Sequence, residues 1–373
     1  MRVLLVAQSP PQVASSRTRV FAYLPYLERA GIAYDVVVWN SERFVARAAT
    51  GRVSLGEHAR NLLHHLRAGL AMLRRSRASQ TIFIQKVIVP GWFLRLLKGG
   101  RRRLIFDYDD ALYALPPGRD GGVRALVRRR RVRRFTNCLR ESDLVILENE
   151  PNREFTEHYC RDTLTITGPI DAARYHPRAR AVGDGPVVLG WIGSPSTTGY
   201  LRLLEPALAE LARRRRPIVL HLIGAGAWES PHVRVRHVPW TLDGEVDALG
   251  TFDIGLMPLT DDAWARGKGG YKILQYMAMG IPTVASPVGI NRRMLRDGET
   301  GVLASGADEW VAALDRLVTD APARRRMGAS AREDAVARYS LEHYAPAFLQ
   351  ALRPGGGQPA ASSAPAAAHE LSR

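Results

Sequence analysis

The sequence predicts an α/β protein built from two doubly wound domains that face each other across a cleft. Short apolar runs alternate with helical patterns along both halves, and each half opens on such a run, at residues 3–7 and 187–192. A strand at 3–7, a helix at 18–30 and a strand at 34–39 form one strand–helix–strand unit, which requires parallel strands. The 373 residues are enough for two cores of ordinary size. Both domains are therefore expected to be Rossmann-like, with ligands at the carboxyl ends of their strands.

The alternation continues through both halves and sets the predicted domain limits. We expect an amino-terminal domain at 1–175, a linker at 176–186, a carboxyl-terminal domain at 187–340, a helix at 341–352 and a disordered, low-complexity tail at 354–373. Further strands are predicted at 81–85, 104–107, 144–147, 164–167, 218–223, 233–237, 253–257 and 283–285. Helices are predicted at 58–77, 92–98, 123–140, 200–213, 245–249, 271–279, 308–319 and 323–339.

The charge of the chain is unusual for a globular protein, whereas its apolar content is ordinary. The formal net charge is +17, which favours anionic partners such as nucleotides, lipid head groups or nucleic acid. The two cysteines form no disulfide framework or metal-site pattern, and they fit a reducing compartment. No stretch approaches the roughly 18 uninterrupted apolar residues of a membrane span, and the run at 3–7 is too short for a signal peptide. We therefore expect a cytoplasmic protein.

A glycine-rich loop that carries a lysine is the main candidate binding site. Gly267, Lys268, Gly269 and Gly270 precede the helix predicted at 271–279. Free backbone N–H groups and the helix dipole favour an anionic ligand there, and glycines allow it to approach closely. Lys268 and Lys272 are four apart and are expected on one face of this helix. The alternative is an ordinary flexible loop that caps a helix.

A second candidate phosphate site opens the second domain. Gly193, Ser194 and Thr197 lie between the strand at 187–192 and the following helix, and their hydroxyls and amides suit a pyrophosphate. The alternative is a capped helix start with Ser196 or Thr198 as the N-cap.

The segment after the first loop resembles a known family. Residues 275–289, QYMAMGIPTVASPVG, and 297–304, DGETGVLA, resemble the nucleotide-sugar site of family GT4 among the retaining GT-B glycosyltransferases. In that family, two glutamates eight positions apart hold the sugar and ribose hydroxyls of the donor. Here the second position is Gln275 and the first is Gly267.

The resemblance implies the GT-B fold over about residues 1–352, with the helix at 341–352 packed back onto the first domain. It also implies retention, no metal, and no cofactor beyond the nucleotide-sugar co-substrate. Lys268 would stabilise the departing diphosphate, Gln275 would bind a ribose, and Trp240 would either stack on a base or pack between the domains. The expected donor-binding residues are Gly193, Ser194, Thr197, Trp240, Gly267, Lys268, Gly269, Tyr271, Lys272 and Gln275.

Charged residues of the first domain are the candidates for the acceptor side. The family often has a histidine in the loop where this chain has DYDD, residues 107–110. Asp109 and Asp110, with Lys268, are our candidate catalytic residues; the two aspartates could orient an acceptor hydroxyl, bind a divalent ion or pair with arginines. Arg17 and Arg19 would bind an anionic acceptor or the diphosphate, or pair with the aspartates.

The expected function is that of a hexosyltransferase-type glycosyltransferase with a carbohydrate, lipid-linked or small-molecule acceptor. Three arginine runs, at 101–103, 128–134 and 213–216, are interpreted as solvated faces. Alternatively, the two runs in the first half dock on an anionic membrane, at the inner face of the cell membrane. The alternatives are a nucleotide-binding protein without transfer, another GT-B chemistry such as epimerase or phosphorylase, and nucleic-acid binding. No specific nucleic acid is expected, because aromatic residues are not interleaved with the arginine runs.

Overall fold

Two parallel β-sheets organise the computed structural model, which describes residues 1–49, 53–114, 123–178 and 185–355. In the first sheet the strands lie in the order β2-β1-β3-β4-β5-β6, and in the second in the order β12-β11-β10-β7-β8-β9. All strand pairs in these sheets are parallel among the described residues. The strands are β1 Arg2–Ala7, β2 Ala33–Val38, β3 Thr81–Gln85, β4 Arg103–Asp107, β5 Leu144–Leu147, β6 Thr163–Thr165, β7 Val187–Ile192, β8 Ile218–Ile223, β9 Val235–Val238, β10 Ile254–Met257, β11 Thr283–Ala285 and β12 Gly301–Leu303. The predicted fold class is confirmed.

The strand orders locate a binding crevice in each domain. In the first sheet, β1 lies between β2 and β3, and in the second, β7 lies between β8 and β10. At such a switch point, consecutive connections leave for opposite faces of the sheet, so a crevice opens beyond the carboxyl ends of the strands. The loops after β1, β3, β7 and β10 are therefore expected to line a site.

Helices cover both faces of each sheet. They are α1 Ala14–Arg19, α2 Leu24–Arg29, α3 Glu42–Ala49, α4 Leu55–Ser76, α5 Gly91–Lys98, α6 Val123–Glu141, α7 Glu150–Glu157, α8 Glu205–Arg213, α9 Glu245–Leu249, α10 Ala263–Arg266, α11 Tyr271–Ala278, α12 Asn291–Met294, α13 Ala307–Thr319, α14 Ala321–Tyr339 and α15 Leu341–Leu352. Two 3₁₀ helices, Phe21–Tyr23 and Pro195–Leu204, complete the set among the described residues.

The first helix differs from the prediction. The helix expected at 18–30 begins earlier, at Ala14, and is broken into α1, a 3₁₀ turn and α2. The break occurs at Val20, whose φ of −127° and ψ of −65° lie outside the helical region. Pro25, which has no N–H to donate, then fits the first turn of α2. Arg17 and Arg19 thus lie on a helix.

The terminal helix connects the two halves of the chain. α15 packs against the first sheet on the face that α2 also covers. The ring of Phe348 stacks on Tyr23 with 3.9 Å between centroids, and the Thr81 hydroxyl donates to the Leu352 carbonyl at 2.7 Å. The opposite face of the sheet is covered by α4, α5 and α6.

Parts of the predicted linker at 176–186 and most of the predicted tail at 354–373 lie outside the described residues. Among the helices that the structure does describe, none is long and apolar enough to cross a lipid bilayer.

Candidate active site between the two domains

The glycine-rich loop contacts the first domain directly. The Asn149 side-chain amide donates to the carbonyl oxygens of Gly267 and Lys268, each at 3.2 Å. A Cβ on Gly269 would lie 1.4 Å from Oε2 of Glu148, and one on Gly267 would lie 2.2 Å from the Cβ of Ala111. Both distances are far inside van der Waals contact, so only glycine fits these positions. This packing explains why position 267 carries no glutamate.

Two lysines flank the start of α11. Gly270, with φ +69°, is the N-cap, so Lys268 lies before the helix, and the prediction that it shares a helix face with Lys272 is wrong. Lys272 Nζ lies 5.3 Å from the centroid of the Trp191 ring, and Lys268 Nζ lies 5.0 Å from that of Trp264. Among the described residues, no carboxylate lies within ion-pair distance of either lysine.

The environment of Lys272 disfavours its positive charge. Burial lowers the pKa of Lys272, the charge of Lys268 lowers it further, and Asp110 opposes both, with a resulting pKa of about 8. Lys272 is therefore poised to gain from a bound anion. Asp110 belongs to the first domain, so the charge on this lysine is influenced from both domains.

The loop after β7 is a capped helix start. Ser194 is the N-cap of the 3₁₀ helix Pro195–Leu204 and forms a capping box with Thr197, so the predicted N-caps, Ser196 and Thr198, are wrong. The helix begins earlier because Pro195 suits its first position. Thr198 instead accepts a hydrogen bond from the Gly226 amide at 2.9 Å. The exposed hydroxyls of Ser194 and Thr197 bond mainly to each other and to their own turn.

A buried carboxylate, Glu245, organises the base of the second-domain site. Its oxygens accept from the Gln275 amide at 2.5 Å and from the Trp240 ring N–H at 2.7 Å. The Tyr175 hydroxyl also donates to it. Glu245 lies at the start of α9, and an acid at a helix N-terminus is the only local pattern that could have pointed to it.

These contacts change the expected roles of two donor residues. Trp240 packs against the core of the second domain with its N–H bound to Glu245, so the structure favours packing over base stacking. Gln275 is only 4% exposed and its amide is already bonded, which contradicts a direct ribose contact through that group in this conformation. Tyr271 lies beside them, close enough to Tyr175 and Arg17 to be affected by both.

The two arginines of α1 bind carboxylates. Arg17 Nη2 lies 3.4 Å from Glu245 Oε2 and so joins the two domains. Arg19 is buried and holds Asp107 through two hydrogen bonds of 2.7 and 2.6 Å, with Glu148 at 3.3 Å. Binding of an anionic acceptor by Arg19 is therefore contradicted, because its donors already face buried oxygens.

Asp109 and Asp110 pair with a lysine that the sequence analysis missed. Lys86, directly after β3, contacts the Asp109 carboxylate and lies 3.0 Å from Asp110 Oδ2. The predicted pairing of this loop with arginines is therefore confirmed for Asp107 with Arg19 and is wrong for Asp109 and Asp110. The Lys86 ammonium takes the place between the carboxylates that a divalent cation would need. Lys86 has a positive φ of 56°, an uncommon backbone for lysine.

Burial and the neighbouring charges together determine which carboxyl groups near Lys86 are ionised. Burial alone would raise the pKa of Asp109, but the positive charges of Lys86 and Arg19 outweigh burial and lower it to about 2. Burial raises the pKa of Glu148 well above its usual value. The side chain of Asp110 is 37% exposed and is the most accessible carboxylate of the pair, so it can reach a ligand in the cleft.

A cavity lies at the opposite edge of the first sheet. It has a volume of about 840 Å³ and is lined by the segments before β3, β4, β5 and β6, including Arg101, Arg102 and Arg103. Doubly wound domains bind ligands at the carboxyl ends of their strands, whereas this cavity is at the amino ends. The arginine run at 101–103 therefore lies away from the cleft.

Sequence comparisons relate parts of this chain to known proteins. Residues 186–320 match the family model described as "Glycosyl transferases group 1". The chain is 44% identical over 255 residues to a D-inositol 3-phosphate glycosyltransferase of Stackebrandtia nassauensis, covering 57% of this chain and 54% of the relative. It is 31% identical over 202 residues to the O-antigen biosynthesis protein RfbC of Myxococcus xanthus, covering 52% of this chain and 15% of that protein. The chain thus spans about half the length of the first of these relatives and less of the second.

Solved structures match almost the whole chain. Sucrose-phosphate synthase from Thermosynechococcus elongatus superposes with a TM-score of 0.68 at 16% identity, covering 94% of this chain and 98% of that chain. Anabaena Alr3699/HepE in complex with UDP and glucose superposes with a TM-score of 0.64 at 17% identity, covering 94% and 99%. The resemblance expected from the sequence is supported on both counts: residues 186–320 match the group 1 glycosyl transferase model, and the chain has the two-domain GT-B fold.

Proposed function

We propose that this protein is a glycosyltransferase that moves a hexosyl group from a nucleoside-diphosphate sugar to an acceptor hydroxyl. The observation that carries the proposal is the pair Lys268 and Lys272 at the glycine-rich start of α11, both without a carboxylate partner among the described residues. The group 1 match of residues 186–320 supports it. So does the presence of UDP in a solved structure of the same fold.

The residues at the donor site would act by stabilising negative charge on the departing diphosphate. As the glycosidic bond breaks, negative charge builds on the departing diphosphate, and interactions that strengthen at that moment lower the barrier. Lys268, Lys272 and the first amides of α11, which have no acceptor within the helix, would supply them. Ser194, Thr197 and Gly193 would contact the far side of the diphosphate. We propose that the reaction retains the anomeric configuration.

The acceptor side would use the carboxylates of the first domain. Asp110 is accessible and its charge acts on Lys272 of the second domain, so it would orient the attacking hydroxyl. Asp109, held by Lys86, would keep that lysine and Asp110 in place. The acceptor would be a carbohydrate, a lipid-linked sugar or a small molecule. The name of the Stackebrandtia relative makes a phosphorylated polyol the first to test.

The donor also indicates where the protein works. Nucleotide sugars and a pair of free, buried cysteines fit the cytoplasm, which we propose as its compartment.

A transfer assay tests the proposal. The protein is incubated with UDP-, GDP- and ADP-glucose and with inositol phosphate or a glucoside, and products are detected by mass spectrometry. Wild type should give a product whose mass is the sum of acceptor and hexose less water, and Asp110→Asn should lose it. Nucleotide binding without any product across the panel would contradict the proposal. It would favour the alternative of a nucleotide-binding protein without transfer, for which Gly267 in place of an acid is the supporting observation.

A further inference from the structure

The outer surface of the first domain carries most of the exposed apolar side chains of the protein. Helices α4, α5 and α6 cover one face of the first sheet and bury side chains such as Met72, Leu94 and Phe135 against it. Of the twelve large exposed apolar side chains among the described residues, nine lie on these three helices: Leu55, Leu62, Leu63, Leu66, Leu70, Trp92, Leu96, Leu126 and Val127. We call the outward surface of the three helices the α4–α6 face.

The leucines of α4 form one continuous stripe. Leu62, Leu66 and Leu70 follow a four-residue spacing and are 60%, 61% and 68% exposed. That spacing puts them on one side of a helix. The inward side is formed by Asn61, Ala68 and Met72 instead. The stripe is therefore not part of the core, although a leucine repeat on a helix is ordinarily a core signal.

The stripe continues onto the next helix. Gly69, between Leu66 and Leu70, lies against Phe93: a Cβ on this glycine would be 3.7 Å from the Phe93 ring. Trp92, the neighbour of Phe93, is 61% exposed. The close contact at Gly69 thus brings the apolar surfaces of α4 and α5 into one patch.

Positive charge surrounds this apolar patch. The three helices contain fourteen arginines and lysines and only two acids, Glu57 and Glu141. Glu57 caps α4 and is buried, and Glu141 pairs with Arg95. On α4, Arg60, Arg67 and Arg74 recur every seven residues, which places them along one side of the leucines.

The arginines of α6 differ from those of the second domain. Arg129, Arg130, Arg131, Arg133 and Arg134 are exposed, and no carboxylate among the described residues lies within ion-pair distance of them. By contrast, Arg213, Arg214 and Arg216 pair with Glu210 and Asp315. The two groups therefore differ: the run at 213–216 is neutralised by nearby carboxylates, whereas the five α6 arginines named here have no carboxylate partner among the described residues.

We propose that the α4–α6 face docks on an anionic lipid bilayer. The leucine stripe and Trp92 would enter the boundary between head groups and acyl chains, and the arginines would contact lipid phosphates. A helix with leucines on one side and arginines beside them is the pattern that binds such an interface. A second copy of this chain fits less well, because two faces of the same strong positive charge repel each other. A nucleic acid also fits less well, because it would contact the arginines and leave the leucines exposed to water. The docking is independent of the proposed transfer reaction.

Vesicle co-sedimentation tests the proposal without donor or acceptor. Wild type should bind phosphatidylcholine vesicles that contain 30% phosphatidylglycerol and should not bind pure phosphatidylcholine vesicles. Leu66→Ser with Leu70→Ser should weaken binding roughly tenfold, and glutamine at Arg129, Arg130, Arg133 and Arg134 should weaken it roughly a hundredfold or more. All substituted side chains are exposed, so the thermal midpoint should stay at the wild-type value.

Matched variants on the second domain are the controls. Leu203→Ser with Val336→Ser, and glutamine at Arg202, Arg234, Arg236 and Arg325, remove the same number of exposed apolar and basic groups. Both should bind vesicles as wild type does. The proposal would be overturned if the control variants lost as much vesicle binding as the α4–α6 variants, or if wild type did not bind vesicles. It would also be overturned if wild type were a dimer that dissociates in the Leu66 and Leu70 variant. A third contradicting result would be an affinity for single-stranded DNA that equals the affinity for vesicles and does not change when the leucines are substituted.

Discussion

The carboxylate of Glu148 lies against the backbone of Gly269, so close that a Cβ on this glycine would be 1.4 Å from Oε2. Glu148 follows β5 of the first domain, and Gly269 belongs to the proposed donor loop of the second. The loop is therefore packed tightly against the first domain in this conformation. We expect donor binding and contact between the domains to be coupled through this pair.

Gly269→Ala should separate the loop from the first domain. The methyl group cannot fit beside Glu148, so either the loop or the domain contact must shift. We expect nucleotide affinity and turnover to fall at least tenfold. Gly199→Ala is the matched control, because a Cβ there meets nothing within 4 Å. Equal nucleotide affinity in the two variants, measured by calorimetry, would contradict the coupling.

Removal of Glu245 should destabilise the protein. Its carboxylate is 1% exposed and accepts hydrogen bonds from Gln275, Trp240 and Tyr175, besides pairing with Arg17. Glu245→Ala leaves these donors without an acceptor, and we expect the free energy of unfolding to fall by about 2–4 kcal/mol. Glu299→Ala, which removes an exposed carboxylate paired with Arg296, should change it by less than about 1 kcal/mol. Urea unfolding measures both.

Asp107 and Asp110 should respond differently to the same substitution. Asp107→Asn removes the charge that compensates buried Arg19, so the free energy of unfolding should fall. Asp110→Asn changes a partly exposed group, and it should lower turnover at least tenfold while the thermal midpoint and the nucleotide affinity stay unchanged. Comparable turnover for wild type and Asp110→Asn would remove Asp110 from the acceptor site.

Donor affinity should depend on pH through Lys272. The pKa of this lysine is lowered to about 8 by burial and by Lys268, so its charge is lost as pH rises through that value. A bound diphosphate favours the charged form, hence binding should take up a proton near pH 8 and weaken about tenfold by about pH 9. For stability without ligand the sign is opposite: the lowered pKa costs stability below about pH 8, and this cost disappears as pH rises toward the unfolded pKa.

Lys272→Arg provides the control for the pH effect. Arginine keeps its charge throughout this range, so the pH dependence of nucleotide affinity should disappear. Calorimetry in two buffers of different ionisation enthalpy would detect the proton uptake in wild type and its loss in the variant. The same pH dependence in both proteins would assign it to another group.

The fold was predictable because it rests on patterns that are local in sequence. The apolar runs at β1, β3, β7 and β8 mark buried parallel strands. Short helices such as α7 and α12 were missed, since one or two turns carry too little periodicity. The break at Val20 was missed as well, because the backbone there follows from tertiary packing.

The site was predictable only where residue type and loop position were sufficient. The loop itself predicts Gly267, Lys268 and Gly269 as candidates, and the position after a strand predicts Asp109 and Asp110. Lys86 and Glu245 were missed, because each acts through contacts with residues distant in the chain. The leucines of α4 show the same limit: periodicity indicates that they share a face, but not which face is buried.

The most direct test of the central claim is thermal unfolding with UDP, GDP, ADP, CDP and dTDP. Wild type is compared with Lys268→Ala combined with Lys272→Ala, and with Arg325→Ala as a control of an exposed cation far from the loop. We predict that one nucleotide raises the thermal midpoint of the wild type and of the control. The bound nucleotide should stabilise the folded state by about 2.7 kcal/mol at ~100-fold excess over Kd. The midpoint of the double variant should not rise. A rise of wild-type size in the double variant would show that the diphosphate binds elsewhere and would contradict the account.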